Sequence, residues 1–232
     1  MLQPEEPSFV LKQACAISTI LLGALFVTPL SAGPIVDMAT EIEAQIADND
    51  STAALDSAGA LLGTVWDNGS DIIIRDAALV DAPVTMLGIY NPRQDDKYQI
   101  GAPILIYAEP VGYGFGSGGE GLHSFGFIVD LKVMTEAGEM LGELPSVAML
   151  DVTSRSQNRE FPANLTYTLT GLAPGRYILE TTLRDKNSQK AGTFRNSIEI
   201  VADPAATPDQ APANAAQPEV SEAPTVTEEK VE

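Results

Sequence analysis

The sequence predicts an all-β fold: an antiparallel β-sandwich of seven to eight strands between residues 71 and 202, with a helical segment before it and a disordered tail after it. Three observations carry this. Apolar side chains in the middle of the chain recur with a period of two, which sends alternate residues to one face of a strand. Turn-forming pairs such as Asn91-Pro92 and Ala137-Gly138 punctuate those runs. No helical period intervenes between them, and many short strands without crossover helices describe a sandwich rather than a βαβ fold.

Composition points to a single folded unit. The 232 residues carry 32 acidic and 13 basic side chains, for a formal net charge of −19. Residues 71–202 hold 16 of the acids and 11 of the bases, so charges of both signs coincide with the aromatic and alternating apolar positions only there. A field this negative repels phosphate backbones and anionic head groups, which excludes nucleic acid as an expected partner. Cys15 is the one cysteine and precedes an apolar run, so no disulfide framework, thiolate metal site or cysteine nucleophile is expected in the folded region.

The N-terminal segment reads as an address. From Ala14 to Leu30 the chain is apolar, and Ser31, Ala32 and Gly33 follow. That is the layout of a secretory signal peptide over residues 1–32, with a hydrophobic stretch shorter than the ~20 residues of a comfortable membrane span. The expected location is periplasmic or secreted. The alternative is an uncleaved anchor in the inner membrane, in which case residues 14–30 make the only membrane contact.

Residues 33–70 form a helical stalk or flanking segment. Met38, Ile42 and Ile46 recur at steps of four, Thr40 and Glu43 have capping-box spacing, and the polar cluster Asp48 to Thr52 interrupts. A second stripe follows through Leu55, Ala58, Leu62 and Val65, with Gly69 as a stop. Helices this Ala-rich are marginal alone, so they either pack on the domain or stay a stalk.

The strand assignments begin at Ile72 to Val80, Val84 to Tyr90, Ile104 to Glu109 and Ser146 to Asp151. The clearest alternation is Phe125, Phe127, Val129, Leu131 and Val133; further runs are Leu165 to Leu169, Tyr177 to Leu183, and Phe194 to Ile200. From 203 to 232 the chain is acidic and rich in Ala and Pro, with no aromatic residue. Such a tail buries too little to offset its ordering entropy, and disorder is expected.

The stretch Leu172 to Tyr177, LAPGRY, followed by ILETTLRD and later FRNSIEIV, resembles the end of fibronectin type III and other immunoglobulin-like domains. The resemblance implies an immunoglobulin-like sandwich in which Leu172 plugs a corner, Pro174 and Gly175 set its turn, and the Tyr177 hydroxyl bonds back to the corner backbone. The inter-sheet cysteines and buried tryptophan of antibody domains have no counterpart in the strand region, since Trp66 lies upstream of it. The middle segment, with its pattern from Gly101 to Pro110, also resembles exported bacterial proteins of uncharacterised function; that likeness implies an envelope address and no activity.

Few residues suggest chemistry. Gly112 to Gly121 contains G-x-G-x-x-G twice, but a β-pattern follows at Ser124 where a dinucleotide site needs a helix N-terminus. The same stretch offers Tyr113 and Phe115 near Tyr107, Glu109 and His123, and these five are the candidate binding residues: aromatics on a loop either contact a partner or fold down as a lid. His123 is the only histidine, so no metal site is read from the sequence, and no cofactor motif or Gly-x-Ser-x-Gly elbow occurs. The sequence thus points to a non-catalytic exported envelope protein that binds another protein or an envelope polysaccharide. The alternative is a carbohydrate-active or hydrolase-accessory module with its site near Glu109 and the Gly-rich loop.

Overall fold

The computed structural model describes residues 33–202. The expected leader (1–32) and tail (203–232) lie outside the described residues.

Two helices come first, α1 (Pro34–Ala47) and α2 (Ser51–Asp67). Pro34 opens α1 with its fixed φ, and Gly33 takes the N-cap position. The capping box expected at Thr40 does not form there. Thr40 sits inside α1 and its hydroxyl donates to the Val36 carbonyl, because Pro34 has already started the helix six residues earlier. Asp50, within the expected interruption, caps α2 by accepting from the Ala53 amide at 3.0 Å. The second expected stripe is also inverted in role: Leu55, Leu62 and Val65 are exposed, while α2 buries Ala54, Gly63 and Trp66.

Nine strands follow: β1 (Ile73–Val80), β2 (Lys97–Gln99), β3 (Pro103–Val111), β4 (Gly116–Gly119), β5 (Leu122–Thr135), β6 (Met140–Ser154), β7 (Ala163–Thr168), β8 (Gly175–Asp185) and β9 (Ala191–Val201). One sheet has the order β1-β3-β7, antiparallel throughout. The other runs β2-β9-β8-β5, with β2 parallel to β9 and the remaining pairs antiparallel. Residues 123–124 of β5 pair with both β4 and β6, and residues 127–129 and 131–134 with both β6 and β8. A strand has two edges, so β4 and β8 share one and β6 takes the other. The outer edges of β6 and β7 then have no strand partner among the described residues.

Alternation predicts the core well. Ile104, Ile106 and Ala108 of β3 and Leu165 and Tyr167 of β7 share one apolar cluster with Phe127, Val129 and Leu131 of β5, Leu179 and Leu183 of β8, and Ile198 of β9. Each such aliphatic or aromatic side chain contributes about 1.5–3 kcal/mol by leaving water. One polar link crosses this interior, from the Tyr167 hydroxyl in one sheet to Thr181 Oγ1 in the other at 3.0 Å, and burial pushes the Tyr167 phenol pKa well above its ordinary value. The β1 and β9 sides are joined: the Ile72 amide donates to Ala191 O at 3.1 Å, and a Cβ on Gly192 would stand 2.6 Å from the Ile72 carbonyl.

The expected strand Val84 to Tyr90 is instead an irregular segment. Its backbone bonds go to side chains. Asn164 accepts from the Val84 amide at 2.7 Å and donates to the Val84 carbonyl at 2.8 Å, and the Gly88 amide donates to the Tyr107 hydroxyl at 2.8 Å. With those groups satisfied locally, nothing drives a ladder.

Candidate functional site

The five candidate residues fall in three separate places. Tyr113 and Phe115 belong to an aromatic cluster at the end of the sheets nearest α2. Trp66 meets Tyr113 edge-on with centroids 5.1 Å apart; Tyr113 stacks on Phe125 at 4.8 Å; Phe161 lies 5.2 Å from Phe125 and 5.9 Å from Phe127. Each pair of this kind adds about 0.5–1.5 kcal/mol to simple burial. The Trp66 indole donates to the Tyr113 carbonyl at 2.7 Å, and the Tyr113 hydroxyl donates to Asn158 O at 2.8 Å. Tyr113 is 0 % exposed and burial pushes its phenol pKa far up, so this ring offers an incoming partner no surface in this conformation. Phe115 is half-buried beneath the Arg159 guanidinium, which stands 5.7 Å from both its centroid and that of Trp66. The Gly-rich stretch is the hairpin β4–β5, and no helix follows it. A Cβ at Gly116 would meet Asn187 Oδ1 at 2.5 Å, so close packing of the hairpin explains that glycine.

Tyr107 lies elsewhere, in a second small core with Val80, Val84 and Tyr90, and Glu109 stands beside it. The Tyr107 hydroxyl donates to the Glu109 carboxylate and the Tyr90 hydroxyl to Asp76, with the two rings 4.4 Å apart. Burial and the Glu109 hydrogen bond push the Tyr107 phenol pKa up to about 12. The hydrogen bond to Asp76, then burial, does the same for Tyr90. Both phenols therefore keep their protons and donate, and the carboxylates act as acceptors in a clasp that holds residues 84–90 on the outer face of β3. His123 is half-buried in the β4–β5 hairpin, opposite Ser117 and Ser154. Among the described residues no group of three His, Cys, Asp or Glu side chains is placed to hold a metal ion.

An apolar cleft lies at the other end of the sheets, and little in the sequence announces it. Val133 of β5, Leu144 of β6, Leu169 and Leu172 from the β7–β8 connection, and Tyr177 of β8 line a cleft of about 330 Å³ with Leu141 at its lip. Gly171, at φ +81°, takes the chain through the β7–β8 turn in a conformation only glycine adopts readily. The Tyr177 hydroxyl donates to Ala173 O at 2.7 Å, bracing the corner. Pro174 is exposed on that corner, and Gly175 opens β8.

The cleft opens beside the unpaired edge of β6. A bulge divides that strand: Val129 pairs with Ala148 but Leu131 with Leu144, and Ser146 sits at φ +55°. Asp130 holds the bulge by accepting from the Ser146 amide at 2.7 Å and from both Nε and Nη2 of Arg184 at 2.6 and 3.0 Å. Pro145 within the bulge hides the relation between its two halves, so the sequence expectation of a strand from Ser146 to Asp151 missed Met140 to Leu144, of which Leu141 makes the lip and Leu144 part of the floor. The only signal was the pair Leu141 and Leu144 beside the turn at Gly138.

These features define a mostly β chain with two helices, two sheets around a shared interior, and an apolar cleft beside a free strand edge. No protein-family model, curated protein or solved structure matches the chain. No helix among the described residues is long and apolar enough to cross a membrane.

Proposed function

We propose that this chain is an exported, non-catalytic binding module built on an immunoglobulin-like sandwich, and that it takes an extended apolar segment of an envelope protein along the outer edge of β6. Support for the architecture comes from the sheet orders β1-β3-β7 and β2-β9-β8-β5-β6, from β2 running parallel to β9, and from the Tyr177 bond back to its corner. Support for the address comes from the apolar run at 14–30 and the small residues after it.

The observation that carries the binding reading is the cleft against the free edge of β6. An added strand gains main-chain hydrogen bonds from an unpaired edge and specificity from a pocket that receives alternate side chains. Leu141, 49 % exposed, and its neighbour Met140, 51 % exposed, carry the apolar lining of the cleft out onto the surface as a patch. Carboxylates near the aromatic candidates are engaged by tyrosine donors, and this favours binding over acid–base chemistry.

A photo-reactive amino acid placed at Leu141 of the full chain, expressed in its native cells, tests this. A discrete protein adduct is expected from position 141 and none from Met86, an exposed apolar position on the irregular segment. Adducts from 86 alone, or from neither position, overturn the assignment of the cleft.

A further inference from the structure

Asn68-Gly69 is the one place in the chain where glycine follows asparagine. That pair carries its own chemistry. An asparagine carboxamide lies a five-membered ring away from the next backbone nitrogen, and glycine, lacking a Cβ, lets the main chain turn onto it. The fold leaves both groups accessible. Asn68 is the C-cap of α2, at φ −80° and ψ −7°, and residues 68–71 are all exposed. Two hydrogen bonds hold it in helical register, both to the Thr64 carbonyl: its amide donates at 3.3 Å and its Nδ2 at 2.7 Å. The amides of Gly69, Ser70 and Asp71 have no protein acceptor among the described residues, so once Thr64 lets go no further bond resists rotation. Asn187-Ser188 and Asn196-Ser197 make the contrast, since each places a Cβ beside the attacking nitrogen. Asn187 Nδ2 donates to the carbonyls of Gly114 and Ser124, each at 3.2 Å, and Asn196 is 8 % exposed within β9.

Attack of the Gly69 nitrogen on Asn68 Cγ forms one C–N bond as the Gly69 proton passes to solvent. Nδ2 takes up a proton and leaves as ammonia. Water then opens the cyclic imide at either carbonyl, giving aspartate or isoaspartate, in which the main chain runs through Cβ. The sum is carboxamide plus water to carboxylate plus ammonium, and no oxidant or other co-reactant is needed. The site lies between two anchors: upstream the Trp66 indole donates to the Tyr113 carbonyl at 2.7 Å, and downstream the Ile72 amide donates to Ala191 O at 3.1 Å. Isoaspartate lengthens that short connection by one main-chain atom. Either product also removes the Nδ2 donor from Thr64 and sets a carboxylate at the negative end of α2, between Asp67 and Asp71 in sequence. We propose that Asn68-Gly69 is a self-modification site that converts to aspartate and isoaspartate in the folded chain and thereby loosens Trp66 from the aromatic end of the sheets.

The test incubates the full chain in warm, mildly alkaline buffer without denaturant. Peptide mapping by mass spectrometry is expected to resolve three forms of the peptide spanning residue 68, two of them heavier by the exchange of NH for O, and slower conversion in mildly acidic buffer. Gly69→Ala is expected to convert about ten-fold more slowly or worse, because a Cβ hinders the ring-closing turn. That Cβ would stand 3.6 Å from Trp66 O and 3.9 Å from Asp71 O, ordinary contacts that leave the fold intact. Asn68→Gln, which would have to close a six-membered ring, is the independent second variant and is expected to stay unconverted. Trp66 is the only tryptophan, so its emission reports on the lid: a red shift and a lower melting temperature should grow with conversion in the parent and be absent from both variants. Conversion at Asn187 or Asn196 as fast as at Asn68 overturns the proposal. So does a native chain that stays unconverted while the urea-unfolded chain reacts, or a Trp66 emission that conversion leaves unchanged.

Discussion

The two ends of the sheets solve the same problem differently. β5 runs from Phe125 at one end to Val133 at the other, roughly 26 Å at about 3.3 Å per residue. At the Phe125 end a helix supplies the lid: Trp66 covers Tyr113 and Phe115, its carbonyl and those of Asp67 and Gly112 accept from Lys190 Nζ at 3.4, 3.3 and 2.9 Å, and aromatic rings fill the interior. At the Val133 end aliphatic side chains and Tyr177 close the interior, no element among the described residues covers them, and a cleft remains. Rings with many specific contacts mark the closed end, and bare aliphatic side chains mark the open one. Aromatic residues beside a Gly-rich stretch are thus a poor guide to a binding surface when a helix upstream can reach them.

Substitutions at matched positions sharpen this contrast. The largest expected effect is Trp66→Ala, which removes an indole packed on two rings and one buried hydrogen bond. A loss of about 3–5 kcal/mol in urea denaturation is expected, whereas Leu141→Ser at the open end should stay within about 0.5 kcal/mol of the parent. Similar losses from the two would erase the distinction between lid and cleft. Lys190→Met comes next, at about 1–2 kcal/mol, since its ammonium serves two carbonyls at the end of α2 and that of Gly112 just after β3. Calorimetry should show the melting transition lowered and still single.

Tyr113→Phe and Tyr177→Phe each delete one hydrogen bond to a carbonyl, one at each end, and about 1 kcal/mol apiece is expected. A much larger loss for Tyr177→Phe than for Tyr113→Phe would mean that the open end depends on its corner more than the closed end depends on its lid. Last comes Asp130, on the bulge that shapes the β6 edge. The Arg184 guanidinium holds its carboxyl below the ordinary carboxylate value, with the Ser146 amide assisting against some desolvation. A depressed folded value gives stability that is present above the unfolded pKa of about 3.9 and is lost as pH falls through the folded one. Asp130→Asn should therefore cost up to about 1 kcal/mol at pH 7, discounted for the half-exposed guanidinium, and the gap to the parent should narrow as pH falls below about 3.9 and close once the folded-state carboxyl is protonated. A gap that persists there would assign the loss to the bulge geometry and not to the charge.

How far the sequence could be read follows the same division. Strict alternation made Phe127, Val129, Leu131, Leu179 and Leu183 legible as core, because period two leaves no other face for them. Trp66 was not legible, since a lone tryptophan at the end of an Ala-rich helix carries no periodic signal and its partners lie 47 and more residues away. The stripe at Leu55, Leu62 and Val65 misled for a related reason: amphipathic spacing shows that a helix has an apolar side without saying whether the molecule covers it. Val84 to Tyr90 misled because Asn164 and Tyr107, far along the chain, satisfy its backbone. The cleft was nearly silent, as Pro145 broke the pattern that would have joined Leu141 and Leu144 to β6.

Trp66 also sets where the chain can be cut. Excising the β-rich half at residue 70, the natural choice from its strand pattern, would leave an indole-sized void over Tyr113 and strand Lys190 without its acceptors on Trp66 and Asp67. Modular grafts of this unit into another protein should therefore carry α2 with them, and a fragment that begins after it should require refolding aids or fail to express.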